Sequence, residues 1–178
     1  MRKAILARGA VWALWALLLG AQPLPARSLP VKAVLLEDSA YSEMLVSRIR
    51  ESKRRILCAF FLFKVGEKRG TLPAVIAGEL VKASRRGVEV TVMLEGKKPV
   101  RFDNHAAGRL LSQGGVRVIY PRQRRLTHAK AVVIDDRYLL MGSHNLTQSA
   151  LKHNNELSVL LDSPELAASV SRYLKDIR

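Results

Sequence analysis

A histidine, a lysine and several small polar side chains occur at fixed spacings between residues 128 and 145. They are His128, Lys130, Asp135, Gly142, Ser143 and Asn145, and their pattern is H-x-K-x4-D-x6-G-S-x-N. An imidazole can act as a nucleophile or as an acid–base group near neutral pH. Ammonium, hydroxyl and amide groups can bind the nonbridging oxygens of a phosphate and stabilise the charge that builds there during reaction. The pattern therefore predicts a site for phosphodiester chemistry.

Two apolar segments carry this pattern. Residues 129–134 and 138–141 are separated by Asp135-Asp136-Arg137, an arrangement that favours a tight antiparallel hairpin. The returning strand ends near Ser143, and Asn145 follows in the turn beyond it. We expect the hairpin to bring these two side chains back beside the histidine and the lysine, so that they form a cradle for phosphate.

Side chains alternate between the two faces of a strand, so the residues of the pattern are expected to divide between the two faces. His128 and Lys130 have the same parity, so they are expected to lie side by side on one face. Asp135 has the opposite parity and is expected to point away from the phosphate, fixing the turn or a buried ion pair. It stays among the candidate catalytic residues as a member of the pattern.

The remaining apolar residues predict alternating strands and helices. Strands are predicted at 31–36, 55–64, 88–94, 116–120 and 157–161, and helices at 42–52, 72–86, 104–113 and 164–177. A strand–helix–strand order favours parallel neighbours, so the first two strands are expected to pair in parallel, and further parallel steps follow. The length of 178 residues fits one domain with a core of its own.

Lysine and arginine outnumber the acidic residues, 30 against 15, for a net charge of +15. The basic residues cluster at 53–55, 82–86, 97–98 and 122–125. Such a field attracts DNA, RNA or anionic lipid head groups without selecting among them. Few aromatic residues lie among these clusters, which favours contacts to a nucleic-acid backbone over stacking on bases and predicts little sequence specificity.

Residues 1–26 have the layout of a secretory signal peptide. Arg2, Lys3 and Arg8 precede the apolar run 10–21, which is shorter than the ~20 residues that a membrane-spanning helix needs. We expect cleavage and export to the periplasm or the medium, with a retained N-terminal membrane anchor as the alternative. Removal would leave 27 basic and 15 acidic residues, a net charge of +12 on residues 27–178.

The chain has a single cysteine, Cys58, within an apolar run. One cysteine cannot form an internal disulfide, and a thiol in such a run is expected to be a small core residue. One cysteine with scattered histidines also speaks against a structural zinc site.

The histidine–lysine pattern resembles the signature of the phospholipase D superfamily, with all six signature positions present. The strand–helix order and the C-terminal helix are similar too, over residues 31–178. Because the chain has one copy of the signature, it resembles the single-motif branch, which includes small bacterial endonucleases and mitochondrial cardiolipin hydrolases. The resemblance implies an α/β phospholipase D-like sandwich for residues 27–178, with a mixed, mostly parallel β-sheet flanked by helices on both faces.

The resemblance also implies a mechanism that needs two histidines. One attacks phosphorus to form a phosphohistidine, and the other protonates the leaving oxygen and later activates water. One signature supplies only His128, so a homodimer with the active site at its two-fold interface is implied. No metal or other cofactor is implied, because Lys130 and its symmetry mate supply positive charge. In this family an acidic residue near the position of Glu156 orients the nucleophilic imidazole, and that role is carried over to Glu156.

Thr127 and His144 are further candidates for contact with the substrate. Thr127 could donate to phosphate or simply favour the strand, and His144 lies inside the G-S-x-N part of the pattern. His105 and His153 have no such neighbours and are expected to face solvent.

Three functions are compatible with these observations. The leading one is an exported, metal-independent phosphodiesterase that acts as an endonuclease on DNA or RNA. The second is a phospholipase D that hydrolyses anionic phospholipids such as cardiolipin. The third is a non-catalytic basic domain that binds nucleic acid and keeps an inactive site.

Overall fold

The computed structural model describes residues 28–66, 70–122 and 124–177. The strands are Lys32–Glu37 (β1), Arg55–Phe60 (β2), Glu89–Leu94 (β3), Arg117–Ile119 (β4), Lys130–Ile134 (β5), Tyr138–Gly142 (β6) and Leu157–Asp162 (β7). The helices are Ser39–Glu51 (α1), Leu72–Arg85 (α2), Arg101–Gln113 (α3), Gln148–Lys152 (α4) and Pro164–Asp176 (α5). The predicted signal peptide, residues 1–26, lies outside the described residues. In the described part of the chain, no helix is long and apolar enough to cross a membrane.

The seven strands form one sheet in the order β1-β7-β6-β5-β2-β3-β4. The predicted α/β class is confirmed, but the expectation of a mostly parallel sheet is wrong. Only β2–β3 and β3–β4 are parallel, and the other four neighbouring pairs are antiparallel. The parallel pairs are those whose strands are joined by the crossover helices α2 and α3, whereas the short turn between β5 and β6 forces an antiparallel pair.

Strand β1 lies at the edge of the sheet and pairs antiparallel with β7, from Lys32↔Asp162 to Glu37↔Leu157. The predicted parallel pairing of the first two strands is therefore wrong. A strand–helix–strand order places two strands in one sheet but does not make them neighbours. Here β7, β6 and β5 lie between them.

Helices cover both faces of the sheet, as predicted. The larger core lies on the face of α1, α2, α3 and α4 and includes Tyr41, Ile49, Phe60 and Leu80. The smaller core lies under α5 and includes Met93 and Leu174 among its members. Because successive residues of a strand point to opposite faces, β2 supplies both cores.

Cys58 belongs to the larger core and is 1% exposed. Burial raises the pKa of its thiol to about 12, so the group is neutral at physiological pH. The prediction that this cysteine is a small core residue is confirmed.

The turn between β5 and β6 is the tight hairpin that the sequence predicts. Asp135 and Asp136 have φ values of 53° and 58°, in the left-handed region that aspartate tolerates better than most residues, and Arg137 N donates to the Ile134 carbonyl at 3.1 Å. The Asp135 carboxylate accepts hydrogen bonds from the backbone N–H groups of Lys53, Arg54 and Arg55, at 2.8–3.3 Å. These bonds attach the turn to the start of β2.

These contacts give Asp135 a pH-dependent structural role. Burial acts to raise the pKa of the carboxyl, but the hydrogen bonds from the N–H groups of residues 53–55 outweigh it, and the native pKa lies below its ordinary value. The resulting stabilisation is complete above the unfolded-state pKa of about 3.9 and is lost as pH falls through the native pKa.

We expect Asp135→Asn to lower the free energy of unfolding by about 1–2 kcal/mol at pH 7, because the charged acceptor is lost while the positive φ is still tolerated. Urea denaturation at several pH values measures this. The difference from the parent protein should shrink below about pH 4. A difference that stays constant from pH 7 to pH 3 would contradict the role assigned to the carboxylate.

Candidate active site

Five of the six residues of the histidine–lysine pattern lie at one end of the central strands β5 and β6, and the sixth, Asp135, lies at the other end. His128 and Lys130 lie at the start of β5, Ser143 directly follows β6, and Glu156 directly precedes β7. The β5–β6 register pairs Ala131 with Met141, so the segments that precede β5 and follow β6 lie side by side. Because β5, β6 and β7 are antiparallel neighbours, the start of β5, the end of β6 and the start of β7 lie side by side.

His128 and Lys130 are in direct contact. Lys130 Nζ lies 3.2 Å from His128 Nδ1 and donates to the His128 carbonyl oxygen at 3.1 Å. The imidazole is exposed and packs at 4.4 Å between ring centroids against Phe61. Contact with Lys130 occupies Nδ1, so Nε2 is the ring nitrogen that is free to meet a substrate.

The ammonium group of Lys130 is half-buried beside an aromatic ring. Its Nζ lies 5.4 Å from the centroid of the Phe61 ring. Burial lowers the pKa of Lys130, and the negative charge of Glu156 acts in the opposite direction. A partly desolvated cation binds phosphate oxygens more strongly than one in bulk water, because fewer waters screen the interaction.

Ser143 and Glu156 form a second polar unit next to this pair. The Ser143 hydroxyl donates to Glu156 Oε2 and accepts from the backbone N–H of Leu157 at 3.1 Å. The other carboxylate oxygen of Glu156 accepts from Asn154 Nδ2 at 3.1 Å. Among the described residues, the Glu156 carboxylate therefore contacts Ser143 and Asn154 and not His128, so the expected contact with the imidazole is absent from this arrangement.

Asn145 has hydrogen-bonding capacity that the protein leaves unused. Its Oδ1 is buried, and no donor in the described part of the chain bonds to it. The following residue fixes the backbone here, since Leu146 N donates to Leu62 O at 2.9 Å. A buried amide without a partner costs free energy, so bound water or ligand is the natural partner for this group.

His144 does not reach the substrate side, and its expected role as a substrate contact is wrong. The ring is fully buried and stacks on Tyr41, with 4.3 Å between centroids. Nε2 donates to the Asp38 carbonyl at 3.0 Å, so Nδ1 accepts from the Ser158 hydroxyl at 2.7 Å. Burial lowers the pKa of this imidazole, against the opposing effect of the Asp38 carbonyl. The neutral ring is a structural group.

The structure shows a structural contact for the backbone of Thr127, and the expected contact of its side chain with phosphate stays a prediction. It is 7% exposed, and its backbone N–H donates to Glu95 Oε2 at 2.6 Å. Glu95 itself is 1% exposed, and its other carboxylate oxygen accepts from the Lys97 N–H at 2.9 Å. The residue before His128 is thus fixed by a buried carboxylate.

The buried side-chain amide of Asn104 fixes the backbone next to His128. Asn104 Nδ2 donates to the carbonyls of Phe61 and Glu95, both at 2.8 Å, and its Oδ1 accepts from Phe63 N at 2.7 Å. Sequence reasoning identified none of Phe61, Glu95 and Asn104. Glu95 could have been identified from the sequence, because a carboxylate directly after the apolar strand β3 is unusual.

The structure separates the other candidates from this end of the strands. Asp135 lies in the turn at the far end of β5, about 20 Å from His128 at ~3.3 Å per residue, so the site does not include it.

His153 is exposed as expected. His105 is half-buried, because one face of its ring stacks on Tyr120, and it lies at the surface of α3. No cluster of three or more His, Cys, Asp or Glu side chains that could hold a metal is found in the described ranges.

An exposed apolar surface borders the site. A recess of about 300 Å³ is lined by His128, Lys130 and Met141, among others. An adjacent recess of about 290 Å³ is lined by Leu35, Met141 and Leu157, of which Leu35 and Leu157 are 58% and 59% exposed. Helix α5 leaves this part of the sheet face uncovered.

Residues 45–178 match the family described as "Cardiolipin synthase, PLD-like domain". The chain is 35% identical over 85 residues to cardiolipin synthase B of Escherichia coli K12, a match that covers 46% of this chain and 20% of that protein. It is 29% identical over 101 residues to phospholipase D of Rickettsia conorii, covering 56% of this chain and 49% of that protein. The chain thus matches between a fifth and a half of the length of these relatives.

Two solved structures have a similar fold. One is Nuc from Salmonella typhimurium, a phospholipase D family member, with a TM-score of 0.72 at 21% identity over 83% of this chain and 94% of that one. The other is NucT from Helicobacter pylori, with a TM-score of 0.68 at 17% identity over 83% of this chain and 96% of that one. Each similarity extends over nearly the whole length of the other chain.

The glycine of the pattern allows β6 and β7 to approach closely. A Cβ at Gly142 would overlap the Leu157 carbonyl and the Ser158 side chain and lie 2.5 Å from Ser158 Cα. We expect Gly142→Ala to lower the free energy of unfolding by about 1–3 kcal/mol, because backbone atoms must move apart. Chemical denaturation measures this.

Gly78→Ala is the control. Nothing lies within 4 Å of the Cβ added at this helical position, so the free energy of unfolding should rise by about 0.5–1 kcal/mol. Equal effects of the two substitutions would contradict the explanation.

Proposed function

Since the chain belongs to the phospholipase D superfamily, in the family of the cardiolipin synthase PLD-like domain, we propose that it is a metal-independent phosphodiesterase that acts through a phosphohistidine. The observation that carries this proposal is the exposed imidazole of His128 in contact with Lys130 at the strand ends that also hold Ser143. We further infer that the enzyme is an exported endonuclease with little sequence specificity, from residues 1–26 and from the charge of +12 on the remainder.

In the proposed reaction, Nε2 of His128 attacks phosphorus and the P–O bond to the leaving group breaks. Attack by Nε2 requires the ring proton on Nδ1, so Lys130 must exchange its contact with Nδ1 for a nonbridging phosphate oxygen when the substrate binds. Its ammonium, the Ser143 hydroxyl and the Asn145 amide N–H groups then stabilise the negative charge that builds on the nonbridging phosphate oxygens. We assign acceptance of the Nδ1 proton to Glu156, after release of Ser143 to the phosphate.

A second acid–base group must protonate the leaving oxygen and later remove a proton from water. His144 is buried, His105 stacks on Tyr120, and no contact joins His153 to His128, so the described part of this chain offers no second imidazole in contact with His128. We propose that a second copy provides its own His128 across a two-fold axis. The exposed side chains of Leu35, Met141 and Leu157 beside the site support a self-complementary contact there.

Hydrolysis of anionic phospholipids is the second candidate function. Its support is the 35% identity to cardiolipin synthase B and the family description itself. Lipid and nucleic acid present the same phosphodiester to His128, and the positive charge suits both. The third candidate, a basic domain that binds nucleic acid without catalysis, has less support because all six residues of the pattern are present.

We expect His128→Ala to reduce phosphodiester cleavage by at least about a thousandfold, because the nucleophile is lost. The measurement is turnover of plasmid DNA, RNA and cardiolipin-containing vesicles by the purified protein. The matched control is His153→Ala, which removes an exposed imidazole outside the site and should retain full activity. Cleavage of lipid alone would overturn the nuclease assignment, and cleavage that disappears in EDTA and returns with Mg²⁺ would overturn metal independence.

Mixed dimers test whether two copies share one site. When parent protein and His128→Ala are co-expressed in equal amounts and purified together, a shared site predicts about a quarter of the parent activity per chain. Independent sites predict about a half. Sedimentation should show a dimer in the same preparation, and full activity of a strict monomer would contradict the proposal.

A further inference from the structure

The outward face of α3 forms a second cationic surface, which we call the α3 face. Arg101, His105 and Arg109 are spaced by four residues and form one stripe along the helix, with Phe102 beside it. Phe102 is 79% exposed, a large apolar area for a single side chain in water. These four residues line a cavity of about 350 Å³.

The α3 face is built on a rigid support. Tyr120 stacks on His105 with ring centroids 4.4 Å apart and planes 6° apart, and its hydroxyl donates to the Asn104 carbonyl at 3.4 Å. Gly108 makes room for this ring, because a Cβ there would overlap the Tyr120 hydroxyl. The stripe is thus held in place by packing beneath it.

The same support connects the α3 face to the candidate active site. Asn104, on the inner side of α3, donates to the carbonyl of Phe61, and the Phe61 ring contacts His128. Strand β3, which leads into α3, is two strand spacings from β5, on the order of 10 Å. A polymer bound at His128 can therefore extend onto the α3 face.

The charges of this surface are available for a ligand. Asp103, the acidic residue in the first turn of α3, pairs with Lys64 at 3.6 Å. Arg101 and Arg109 form no ion pair with a carboxylate among the residues that the structure describes. The basic loop at 124–125 lies next to this region, because Lys97 Nζ donates to its carbonyls at 2.8 and 3.1 Å. The field here is positive.

We propose that the α3 face binds an unpaired stretch of nucleic acid, with one base stacked on Phe102 and the flanking phosphates held by Arg101 and Arg109. This inference rests on the proposed nuclease function and names single-stranded DNA or RNA as its substrate. Stacking needs a base whose face is free, which a duplex does not present. Phe102 lies outside the four basic clusters identified in the sequence. An anionic membrane fits less well, because the surface is a concave recess between cations with one ring rather than a broad apolar stripe.

The test uses the full chain with His128→Ala, which prevents cleavage, and fluorescence anisotropy of labelled oligonucleotides. Phe102→Ala should weaken binding of single-stranded DNA and RNA of about 20 nucleotides by about tenfold. Binding of the matching duplex should change by less than about twofold, since it depends on phosphate contacts. The control is Leu110→Ala, an exposed residue of the same helix outside the cavity, which should bind like the parent. Thermal melting checks that each variant is folded.

Substitution of the arginines gives an independent readout. Arg101→Gln and Arg109→Gln should each lower the slope of log affinity against log salt by about 0.7 for single strands. Unchanged single-strand affinity of a folded Phe102→Ala protein, or equal losses for single strand and duplex, would overturn the proposal. Binding of anionic vesicles that depends on both Phe102 and Leu110, without binding of oligonucleotides, would assign the surface to a membrane. The nuclease function itself is tested separately, by measuring cleavage of the same oligonucleotides by the protein with His128 intact.

Discussion

The three-residue turn Asp135-Asp136-Arg137 sets the register between β5 and β6, and the geometry of the site follows from that register. A shift by one residue would move every side chain of a strand to the opposite face of the sheet. The turn cannot slide easily, because the Asp135 carboxylate is hydrogen-bonded to the backbone at the start of β2. Consequently the segment before β5 and the segment after β6 meet at the other end of these strands in one arrangement, with His128 and Lys130 beside Ser143.

Buried polar groups then fix the loop that carries His128. Glu95 and Asn104 are 1% and 0% exposed, and such groups are tolerated in a core only when their hydrogen bonds are satisfied. Their partners are backbone groups at Phe61, Phe63 and Thr127. The requirement that a buried carboxylate and a buried amide be hydrogen-bonded therefore also positions His128. This arrangement agrees with the general need of active sites for rigid support from neighbouring side chains.

Local patterns in the sequence were sufficient for the hairpin, for most helices and strands, and for the contact between His128 and Lys130. Each of these depends on residues close together along the chain. The neighbour of β1 and the antiparallel majority of the sheet could not be deduced, because strand order depends on contacts between distant segments. The expectation that Asp135 fixes the turn is confirmed, but its separation from His128 comes from its position at the far end of β5 and not from strand parity. Strand parity could not reveal that Glu156 binds Ser143, since that contact depends on the geometry between β6 and β7.

Ser143 and His144 are adjacent in the chain, but Ser143 is exposed and His144 is buried. The Ser143 hydroxyl lies at the exposed end of β6, while the next imidazole stacks on Tyr41 and is hydrogen-bonded through both of its nitrogens. A substitution at position 144 should therefore reduce the amount of folded protein in a cell, whereas under the proposed mechanism a substitution at position 128 should reduce turnover per molecule. A genetic screen that records only lost activity would give the two histidines the same score. The unspecified position inside the G-S-x-N pattern is thus a place where a stability defect can imitate a catalytic one.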